Sequence, residues 1–327
     1  MKKALLVLAV ASVVGGIASS ASAKYLMVTN FASGNRSIML FNKSDGSLVQ
    51  QNWIVGDGAA NVFSSQTEAL SIGSDVWISD QVQNKVFRYN LTTGTYKTAI
   101  TGSGSTNLSN IRGMARQGNT VFVANSGTGF GNSIVKFDAN TGAYLGAFAV
   151  QQFSTATTTS PWDIHVAANG ELLVSNYSSS TTVGVSRIDR YDAAGTFLGN
   201  FYFNNNNAGV GLTLPQQINA DGGSYLVGGF GFTTQAGAYQ LNAAGAQTGF
   251  WGGGLGIRAS FRLDNGNLLI TKGDGVWVLD PNTNAITAVA AGGNFNAKYI
   301  SEIAFIPAPG ALALLCIGGL VAARRRR

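Results

Sequence analysis

The sequence predicts an all-β fold, a six-bladed β-propeller, from three observations. The chain of 327 residues contains 43 glycines and only 11% charged residues, a composition typical of secreted all-β proteins. Two β-prone motifs recur in the same order six times, at intervals of roughly forty to fifty residues, the length of a propeller blade. The incomplete units at the two ends of this array complement each other, which indicates a closed ring.

The first motif of each repeat is an apolar strand that ends in a small or polar residue. Its six copies are LMVTN at 26–30, VWISD at 76–80, VFVAN at 121–125, LLVSN at 172–176, YLVGG at 225–229 and LLITK at 268–272. Short apolar segments with such boundaries are typical of buried strands. We assign this motif to the second strand of each blade.

The second motif follows a few residues later and enters a turn. Its copies are IMLFNKSDG at 38–46, VFRYNLTTG at 86–94, IVKFDANTG at 134–142, IDRYDAAG at 188–195, AYQLNAAG at 238–245 and VWVLDPNTN at 276–284. Most copies show alternating side chains, then Asn or Asp, then a Gly-containing turn, which is how a strand enters a hairpin. The motif therefore predicts the third strand of each blade.

Further β-prone segments flank the two motifs. Each turn is followed by one, for example 144–150 or 196–203. The first motif is preceded by another, at 68–72, 113–116, 163–167, 217–220 and 259–263. Each unit thus has four predicted strands, as a propeller blade does.

The two ends of the array predict closure of the ring. The segment 299–306 (YISEIAFI) is typical of an innermost strand whose unit has no further strands there, and the chain after Lys24 begins with a unit that lacks its innermost strand. Joining the two completes the sixth blade and removes the exposed sheet edge. We predict one propeller domain over residues 24–306; a β-sandwich and a right-handed β-helix are the alternative architectures.

The strand and turn pattern resembles that of the NHL, YVTN and gluconolactonase-like propeller superfamilies. No signature in the sequence singles out one of the three. The NHL-like repeat implies a propeller with a ligand site at one mouth of its central channel.

The start of the innermost strand and the end of the second strand should lie at the same mouth, because strands in a blade run antiparallel. The residues that we place at this mouth are Glu68, Arg112, Asp163, Gln217, Arg258 and Glu302, with Asn30, Asp80, Asn125 and Asn176 beside them. Carboxylate and amide oxygens are the ligands that Ca²⁺ takes.

The resemblance to gluconolactonase-like propellers implies a catalytic metal held by acidic and Asn side chains. The candidates on that basis are Glu68, Asp163, Glu302, Asn125 and Asn176. The competing interpretation is structural, because Asn and Asp at strand ends commonly cap turns through nearby backbone groups. Ca²⁺ is the one cofactor that the sequence suggests, and nothing in the sequence decides between the two interpretations.

His165 is the sole histidine and lies two residues after Asp163. Alternation along a strand puts both side chains on one face, so a base with an orienting carboxylate is conceivable. The sequence has no G-x-S-x-G motif, paired metal-ligand histidines or P-loop. A hydrogen-bonded core histidine is the competing interpretation, and we assign no catalytic residue. Trp53, Trp162, Trp251 and Trp277 are candidates for stacking on sugar rings or for packing between blades.

The N-terminus predicts export. Two lysines precede an apolar run, and small residues then lead to Ala21 and Ala23, which is the pattern of a signal peptide with an A-x-A cleavage site. We expect signal peptidase to remove residues 1–23, so that the mature chain begins at Lys24.

The C-terminus predicts a membrane-spanning helix followed by a basic cluster. Residues 310–323 are fourteen residues without a charge, about 21 Å of helix. They precede four arginines, Arg324, Arg325, Arg326 and Arg327. Arginines beside an apolar segment mark its cytoplasmic side, so this helix should hold the exported chain in the inner membrane.

This tail resembles the PEP-CTERM sorting signal of bacterial surface proteins. The resemblance rests on Pro307, Ala308 and Pro309, then the apolar stretch and the terminal arginines, with Ala308 in place of the family's glutamate. It implies cleavage near Pro307 to Pro309 by an exosortase-like sorting protease and transfer to the cell surface or extracellular matrix.

Charge and cysteine content exclude two further classes. The net charge of +6 comes from Lys2, Lys3 and the four terminal arginines, which leaves fifteen basic and fifteen acidic residues between them. Nucleic acid is therefore not expected as a partner, since its binding needs a clustered basic face. The one cysteine, Cys316, lies in the C-terminal apolar run, so the propeller has no disulfide.

These observations favour an exported, non-catalytic binding or scaffold module of the cell surface or an exopolysaccharide matrix, with a polysaccharide or protein as ligand. The alternative is a metal-dependent lactonase-like hydrolase whose site lies at the channel mouth. A structural spacer without a specific ligand is the third hypothesis.

Overall fold

A computed structural model describes residues 25–56, 61–101, 108–127, 133–149, 159–178, 186–204, 211–231 and 234–303. The predicted signal peptide (1–23), its cleavage site at Ala21 and Ala23, and the predicted sorting tail (307–327) lie outside these ranges. Within them, no helix has the length and apolar character needed to cross a membrane.

The described residues form 24 strands in six four-stranded antiparallel sheets, named here blades 1 to 6. Blade 1 comprises, from the innermost strand outward, β24 (Ala297–Ile303), β1 (Tyr25–Asn30), β2 (Ser37–Asn42) and β3 (Leu48–Val55). Blade 2 comprises β4 (Gln66–Ile72), β5 (Asp75–Asp80), β6 (Lys85–Asn90) and β7 (Tyr96–Thr101). Blade 3 comprises β8 (Ile111–Gln117), β9 (Thr120–Asn125), β10 (Ser133–Asp138) and β11 (Tyr144–Ala149).

The remaining blades follow the same order. Blade 4 comprises β12 (Thr159–Val166), β13 (Leu172–Ser178), β14 (Arg187–Tyr191) and β15 (Phe197–Phe203). Blade 5 comprises β16 (Pro215–Asp221), β17 (Ser224–Gly229), β18 (Gly237–Leu241) and β19 (Gln247–Trp251). Blade 6 comprises β20 (Ala259–Arg262), β21 (Leu268–Lys272), β22 (Gly275–Leu279) and β23 (Ile286–Ala291).

The blades form a closed ring. The innermost strand of each blade contacts that of the next, from β4 through β8, β12, β16 and β20 to β24 and back to β4. The chain closes this ring within blade 1, where β24 pairs with β1 and Val28 lies opposite Ile300. The predicted six-bladed β-propeller is thereby confirmed.

The strand that closes the ring begins earlier than the sequence predicts. We expected residues 299–306, whereas β24 begins at Ala297 and is described to Ile303. The sequence did not indicate this start because Lys298 is a charged residue directly before the apolar segment, whereas in the structure it is buried and hydrogen-bonded. Because β24 begins two residues earlier than predicted, each later residue lies two positions farther from the start of the strand and closer to the opposite end of the channel.

The hydrophobic core lies between the blades. Leu26 and Val28 pack against blade 6, while Met27, between them in β1, packs against blade 2. Successive side chains of a strand point to opposite faces, so the second strands are buried on both sides. This is why the first motif is a continuous apolar run, and burial of such runs provides the main driving force for folding.

The second motif forms the turn between the third and fourth strands. In blade 3, the Asp138 carboxylate accepts hydrogen bonds from the backbone N–H groups of Thr141 and Asn140 at 2.8 and 3.0 Å, and these bonds, that from Thr141 most, lower its pKa. Gly142 completes the turn with a φ of 78°, in the left-handed region that favours glycine. The spacing between Asp or Asn and Gly in the second motif therefore follows from the hydrogen bonds and the backbone angles of this turn.

Candidate functional site

The innermost strands run parallel through the channel, which therefore has two different ends. We name the end at which they begin, at Gln66, Ile111 and Pro215, the entry end. The opposite end, at which they finish with Ile72, Val166 and other residues, is the exit end. The residues predicted to share one mouth are divided between these two ends.

A hydroxyl group on the second strand sets the position of the innermost strand near the entry end. Ser79 Oγ accepts the N–H of Glu68 at 3.1 Å and donates to the carbonyl of Arg112 in blade 3 at 2.6 Å. Thr29 Oγ1 accepts the N–H of Tyr299 at 3.2 Å and donates to the blade 2 carbonyl of Thr67 at 3.0 Å. Glu68 and Tyr299 therefore occupy equivalent positions in their blades.

The residues at this position form one level of the channel, which we name the channel layer. Its members are Glu68, Gly113, Asp163, Gln217, Ala259 and Tyr299. The backbone N–H of Asp163 donates to Ser175 Oγ at 3.0 Å, as that of Glu68 does to Ser79. The backbone N–H of Gln217 instead donates to the carbonyl of Arg258, because Gly228 carries no hydroxyl there.

Three side chains of the channel layer accept hydrogen bonds from the backbone of another blade. Glu68 Oε2 accepts the N–H of Met114. Asp163 Oδ2 accepts that of Ile218 at 2.7 Å, and Gln217 Oε1 accepts that of Ile300 at 2.7 Å. Buried backbone donors need such partners, so these side chains have a structural role in joining the blades.

Burial raises the pKa of the Glu68 and Asp163 carboxyl groups. Loss of hydration raises the pKa of Glu68 to about 8. Burial, followed by the negative charge that Glu68 would carry, raises the pKa of Asp163 well above its usual range. Glu68 is therefore protonated at neutral pH, although the hydrogen bond from Met114 favours its charged form.

The channel layer fills the channel. Asp163, Gln217 and Tyr299 are each at most 2% exposed. Tyr299 in blade 1 reaches the carbonyl of Trp162 in blade 4 at 3.4 Å. Gly113 makes room for this packing, since a Cβ there would lie 2.1 Å from Asp163 Oδ1. The entry and exit ends are thus separated by packed side chains.

The strand-end asparagines act locally and apart from the carboxyl pair. Asn125 Oδ1 accepts the backbone N–H of Ser109 at 2.7 Å, which caps the segment leading into β8. Asn176 Nδ2 donates to Asp189 Oδ2 at 2.9 Å. This hydrogen bond gives Asn125 the backbone-capping role that was the structural alternative to metal binding.

The candidate donors do not fit a Ca²⁺ site. Such a site needs six to eight converging oxygen ligands, whereas Glu68 and Asp163 each have one carboxyl oxygen bound to a backbone N–H. Across the ranges that the structure describes, no three His, Cys, Asp or Glu side chains gather as a metal site. We therefore derive no chemistry through a metal.

The structure places Glu302 at the exit end, with Glu68 and His165. Because β24 begins at Ala297, its residue in the channel layer is Tyr299, and Glu302 lies one residue from the end of the strand. Glu302 forms an ion pair with Lys43 at 2.9 Å. Glu302 and Glu68 both line the cavity that opens at this end, whereas Asp163, Asn125 and Asn176 are not among its lining residues.

His165 also faces the exit end. Its ring packs edge-to-face on Tyr225 with centroids 5.5 Å apart, and burial lowers its pKa to about 4, so it is neutral at physiological pH. Among the described residues, no hydrogen bond joins His165 to Asp163. The arrangement does not form a base with an orienting carboxylate.

A cavity of about 520 Å³ opens at the exit end. Its walls include Glu68, Arg116, His165, Asn219, Phe261 and Ser301. Ion pairs hold its rim, with Lys43 bound to Glu302 and Asp264, and Arg262 bound to Asp221 at 3.0 Å. We name it the exit cavity; sequence reasoning missed it because it combines the ends of all six innermost strands.

Basic side chains gather at the entry end instead. The members of this group are Lys298, Arg112 and Arg258, each directly before a channel-layer residue. Arg112 stacks on Trp162 with its guanidinium carbon 3.5 Å from the ring centroid. Lys298 was not predicted as a site residue; its only signal was a charge directly before an apolar strand.

The other tryptophans that we considered for sugar stacking pack against the blades. Trp53 lies on the core between blades 1 and 2, and Trp251 and Trp277 on that between blades 5 and 6. Arg262 stacks over Trp251 at 5.6 Å and Lys272 over Trp277 at 4.3 Å.

Comparison with known proteins shows which fold this chain has and does not show a family for it. No protein-family model matches the sequence, and no curated protein matches it. A chain of the nidogen/laminin complex is 15% identical, with 86% of this chain and 99% of that chain covered and a TM-score of 0.61. A candidate 6-phosphogluconolactonase from Bacteroides fragilis is 13% identical, with coverage of 87% and 99% and a TM-score of 0.56.

The extracellular domain of a candidate hybrid two-component system from B. thetaiotaomicron is 13% identical, with 86% of this chain and 36% of that chain covered and a TM-score of 0.53. The chain is a six-bladed β-propeller. At these identities the likeness shows the fold alone, because propellers of one architecture serve unrelated functions.

Proposed function

We propose that this chain is an exported, non-catalytic binding module and that its ligand occupies the exit cavity. The observation that carries the proposal is the cavity itself, whose volume of about 520 Å³ lies within the range of small-molecule sites. It combines apolar wall, contributed by Leu70 and Phe261, with charged groups already held in ion pairs.

The chemistry of the cavity favours binding over catalysis. Glu68 is protonated and holds the backbone of Met114, and His165 is neutral and packed on Tyr225. Glu68 Oε1 also accepts the Ser301 hydroxyl and a Gln217 side-chain N–H, both at 3.3 Å, so both of its oxygens hold neighbouring strands. Among the described residues, no carboxylate is hydrogen-bonded to His165 to orient it as a general base.

A sugar residue of a surface polysaccharide is the ligand class that suits this cavity best. Asn219 and His165 offer hydrogen-bonding groups on its walls, and the rim carries both carboxylates and cationic groups. Phe261 supplies an aromatic surface, which sugars and other amphipathic rings favour. A protein side chain inserted from a partner is the alternative occupant.

A pair of matched variants tests the site. Ala220 is exposed and lines the exit cavity, whereas Ala243 is exposed on the outer turn of blade 5. Ala220→Trp should obstruct the cavity, and Ala243→Trp adds the same side chain elsewhere. We expect a glycan array probed with the full chain to show a ligand that the A243W variant retains and the A220W variant loses by at least about tenfold, about 1.4 kcal/mol.

Two results would overturn the proposal. One is a ligand bound equally by both variants, or no ligand among glycans and peptides while the protein is folded. The other is hydrolysis of a lactone panel that Ca²⁺ accelerates and Glu68→Gln abolishes, which would support the lactonase-like alternative.

Export is part of the proposal and rests on the two terminal segments, with one fold neighbour being an extracellular domain. The intact mass and the fractionation of the protein made in its own host test it. A mass from Lys24 to about Pro309, found outside the inner membrane, is expected. A mass that retains Arg327 in the inner membrane would mean that the tail is an uncleaved anchor, and a mass that retains Met1 would contradict export.

A further inference from the structure

Lys298 is buried at the entry end without a carboxylate partner among the described residues. It is 8% exposed, and its ammonium group donates to Ser65 Oγ at 2.8 Å, Thr67 Oγ1 at 3.3 Å and Gln81 Oε1 at 3.0 Å. All three acceptors are uncharged. Burial of a charge without an opposite charge costs several kcal/mol, so the position needs an explanation beyond hydrogen bonding.

A second cation lies close to Lys298. Arg258 Nη1 donates to Asn296 Oδ1 at 2.6 Å and to the carbonyl of Ala297 at 2.9 Å, again uncharged acceptors. The Phe31 ring lies against both cations, with its centroid 4.4 Å from Lys298 Nζ and 5.2 Å from Arg258 Cζ. Two positive groups therefore converge on one aromatic ring.

Asp80 is the acidic residue that acts on Lys298, but it does not neutralise the ammonium charge. Asp80 favours the ammonium form, but its attraction is the weakest of the influences on Lys298. Its carboxylate accepts the backbone N–H groups of Ser64, Ser65, Val82 and Gln83, which cap two segments of blade 2. At the exit end, in contrast, Lys43 and Arg262 have carboxylate partners within 3.0 Å.

We propose that the entry end is a second ligand site, where the Arg258 guanidinium binds an oxyanion and the Lys298 ammonium beside it attracts the same anion by its charge. The anion is the carboxylate of an acidic sugar or a phosphate group, and it supplies the anionic partner that neither Lys298 nor Arg258 has among the described residues. The guanidinium of Arg258 suits both groups, since its planar donors match their oxygen pairs. Phe31, which is half-buried, offers its ring to the apolar part of the ligand.

The protonation of Lys298 gives this site a signature. Burial, then the positive charges of Arg258 and Arg112, lower the pKa of Lys298 to about 7, and Asp80 opposes this shift. A bound anion favours the ammonium form and raises the pKa again. Binding should therefore take up a proton above pH 7, and affinity should fall as the pH rises.

Calorimetry on the full chain with three probes tests the inference. The probes are galacturonic acid, inorganic phosphate and uncharged galactose, titrated in two buffers of different ionisation enthalpy. We expect one of the two anions to bind and galactose not to bind at this end. For galacturonate, whose charge is constant in this range, we expect affinity about tenfold lower at pH 8.5 than at pH 6.5, with proton uptake at the higher pH.

Variants separate this site from the exit cavity. Arg258→Gln should weaken anion binding at least about tenfold, whereas the matched Arg262→Gln at the exit end should leave it unchanged. Lys298→Met, which keeps the length and removes the charge, should abolish the proton uptake. A220W should retain anion binding, so failure of the exit-cavity proposal and failure of this one are distinguishable.

The anions that bind, and the variants that bind them, test the inference. Binding of galacturonate alone identifies a carboxylate ligand, and binding of phosphate alone identifies a phosphorylated one. Binding of neither anion to folded protein overturns the inference. Equal anion binding by folded R258Q and K298M variants would also overturn it, and if one of them does not fold, the other decides.

Discussion

At the residue scale, burial changes what a side chain does. Glu68 and Asp163 have the residue types of metal ligands, yet both are enclosed in the channel layer and bound to the backbone of the next blade. Loss of water raises the pKa of each carboxyl group, to about 8 for Glu68, so Glu68 is held as a neutral acid. Residue type alone therefore predicts a polar site, and only packing decides its charge.

Glu68 should make stability depend on pH. Its pKa rises from 4.5 in the unfolded chain to about 8 in the folded one, so between these values the unfolded state releases its proton first and stability falls as the pH rises. At about 1.4 kcal/mol per pKa unit this amounts to a few kcal/mol. Glu68→Gln lacks this titration and should be more stable relative to wild type at pH 8 than at pH 5, measured by urea unfolding. Parallel curves for the two proteins would contradict the assignment.

Gly113 should be indispensable for the channel layer. A Cβ at this position meets Asp163 Oδ1 at 2.1 Å and its Cα at 2.6 Å. We expect Gly113→Ala to lower the free energy of unfolding by about 3 kcal/mol through overpacking. Gly293 is exposed with nothing within 4 Å of an added Cβ, and Gly293→Ala should be nearly neutral. Equal urea midpoints for the two variants would refute the packing described for Asp163.

At the element scale, hydroxyl groups of the second strands tie neighbouring blades together. Thr29 and Ser79 each accept an N–H from the innermost strand of their own blade and donate to a carbonyl of the next blade. Thr271 likewise donates to the carbonyl of Lys298. The first motif thus combines an apolar run, which packs on both sides, with one hydroxyl that orients the innermost strand.

Loss of one such hydroxyl should lower the free energy of unfolding, although the replacing side chain is more apolar. Thr29→Val keeps the shape of a fully buried side chain but leaves the N–H of Tyr299 and the carbonyl of Thr67 without this partner. We expect a loss of about 2 kcal/mol, the cost of unsatisfied buried polar groups. Thr98→Val, on the exposed face of β7, is the matched control and should be neutral. Thermal unfolding of both variants measures the difference, and an unchanged T29V protein would contradict the bridging role.

At the scale of the whole molecule, the ring is closed by pairing of the two ends of the propeller. β24 supplies the innermost strand of blade 1, and Leu26 lies opposite Glu302 within it. The same strand contributes Lys298 to the entry end, Tyr299 to the channel layer and Ser301 to the exit cavity. Closure of the fold and assembly of both candidate sites therefore depend on one strand.

Removal of this strand should prevent formation of a stable ring. A chain that ends at Asn296 lacks β24 and exposes the edge of β1, so we expect loss of cooperative unfolding and a tendency to aggregate. A chain that ends at Pro309 retains β24 and lacks only the apolar tail, and it should unfold cooperatively. Circular dichroism during heating, with light scattering, measures both. Cooperative unfolding of the shorter chain would contradict closure by β24.

Local patterns were sufficient for the elements of this fold. Alternating and continuous apolar runs follow from which faces a strand buries, and Asp or Asn before Gly follows from turn geometry, so both can be detected without tertiary information. The pairing of chain ends was also predictable, since each end lacked what the other had. Glu68 and Asp163 were expected at one mouth of the channel; the structure places them at one level inside it, in the channel layer, because both belong to strands preceding a first motif.

The sequence by itself therefore determined the all-β class, the sixfold repeat and its closure, because periodicity and turn chemistry are local properties. Only the tertiary structure decided that Tyr299 rather than Glu302 enters the channel layer, since a two-residue change in strand start is invisible in an apolar pattern. It also decided that burial raises the pKa of both carboxyl groups, that Lys298 and Arg258 meet at Phe31, and that the exit cavity exists. These properties depend on burial and on distances between residues from different blades, which no local pattern records.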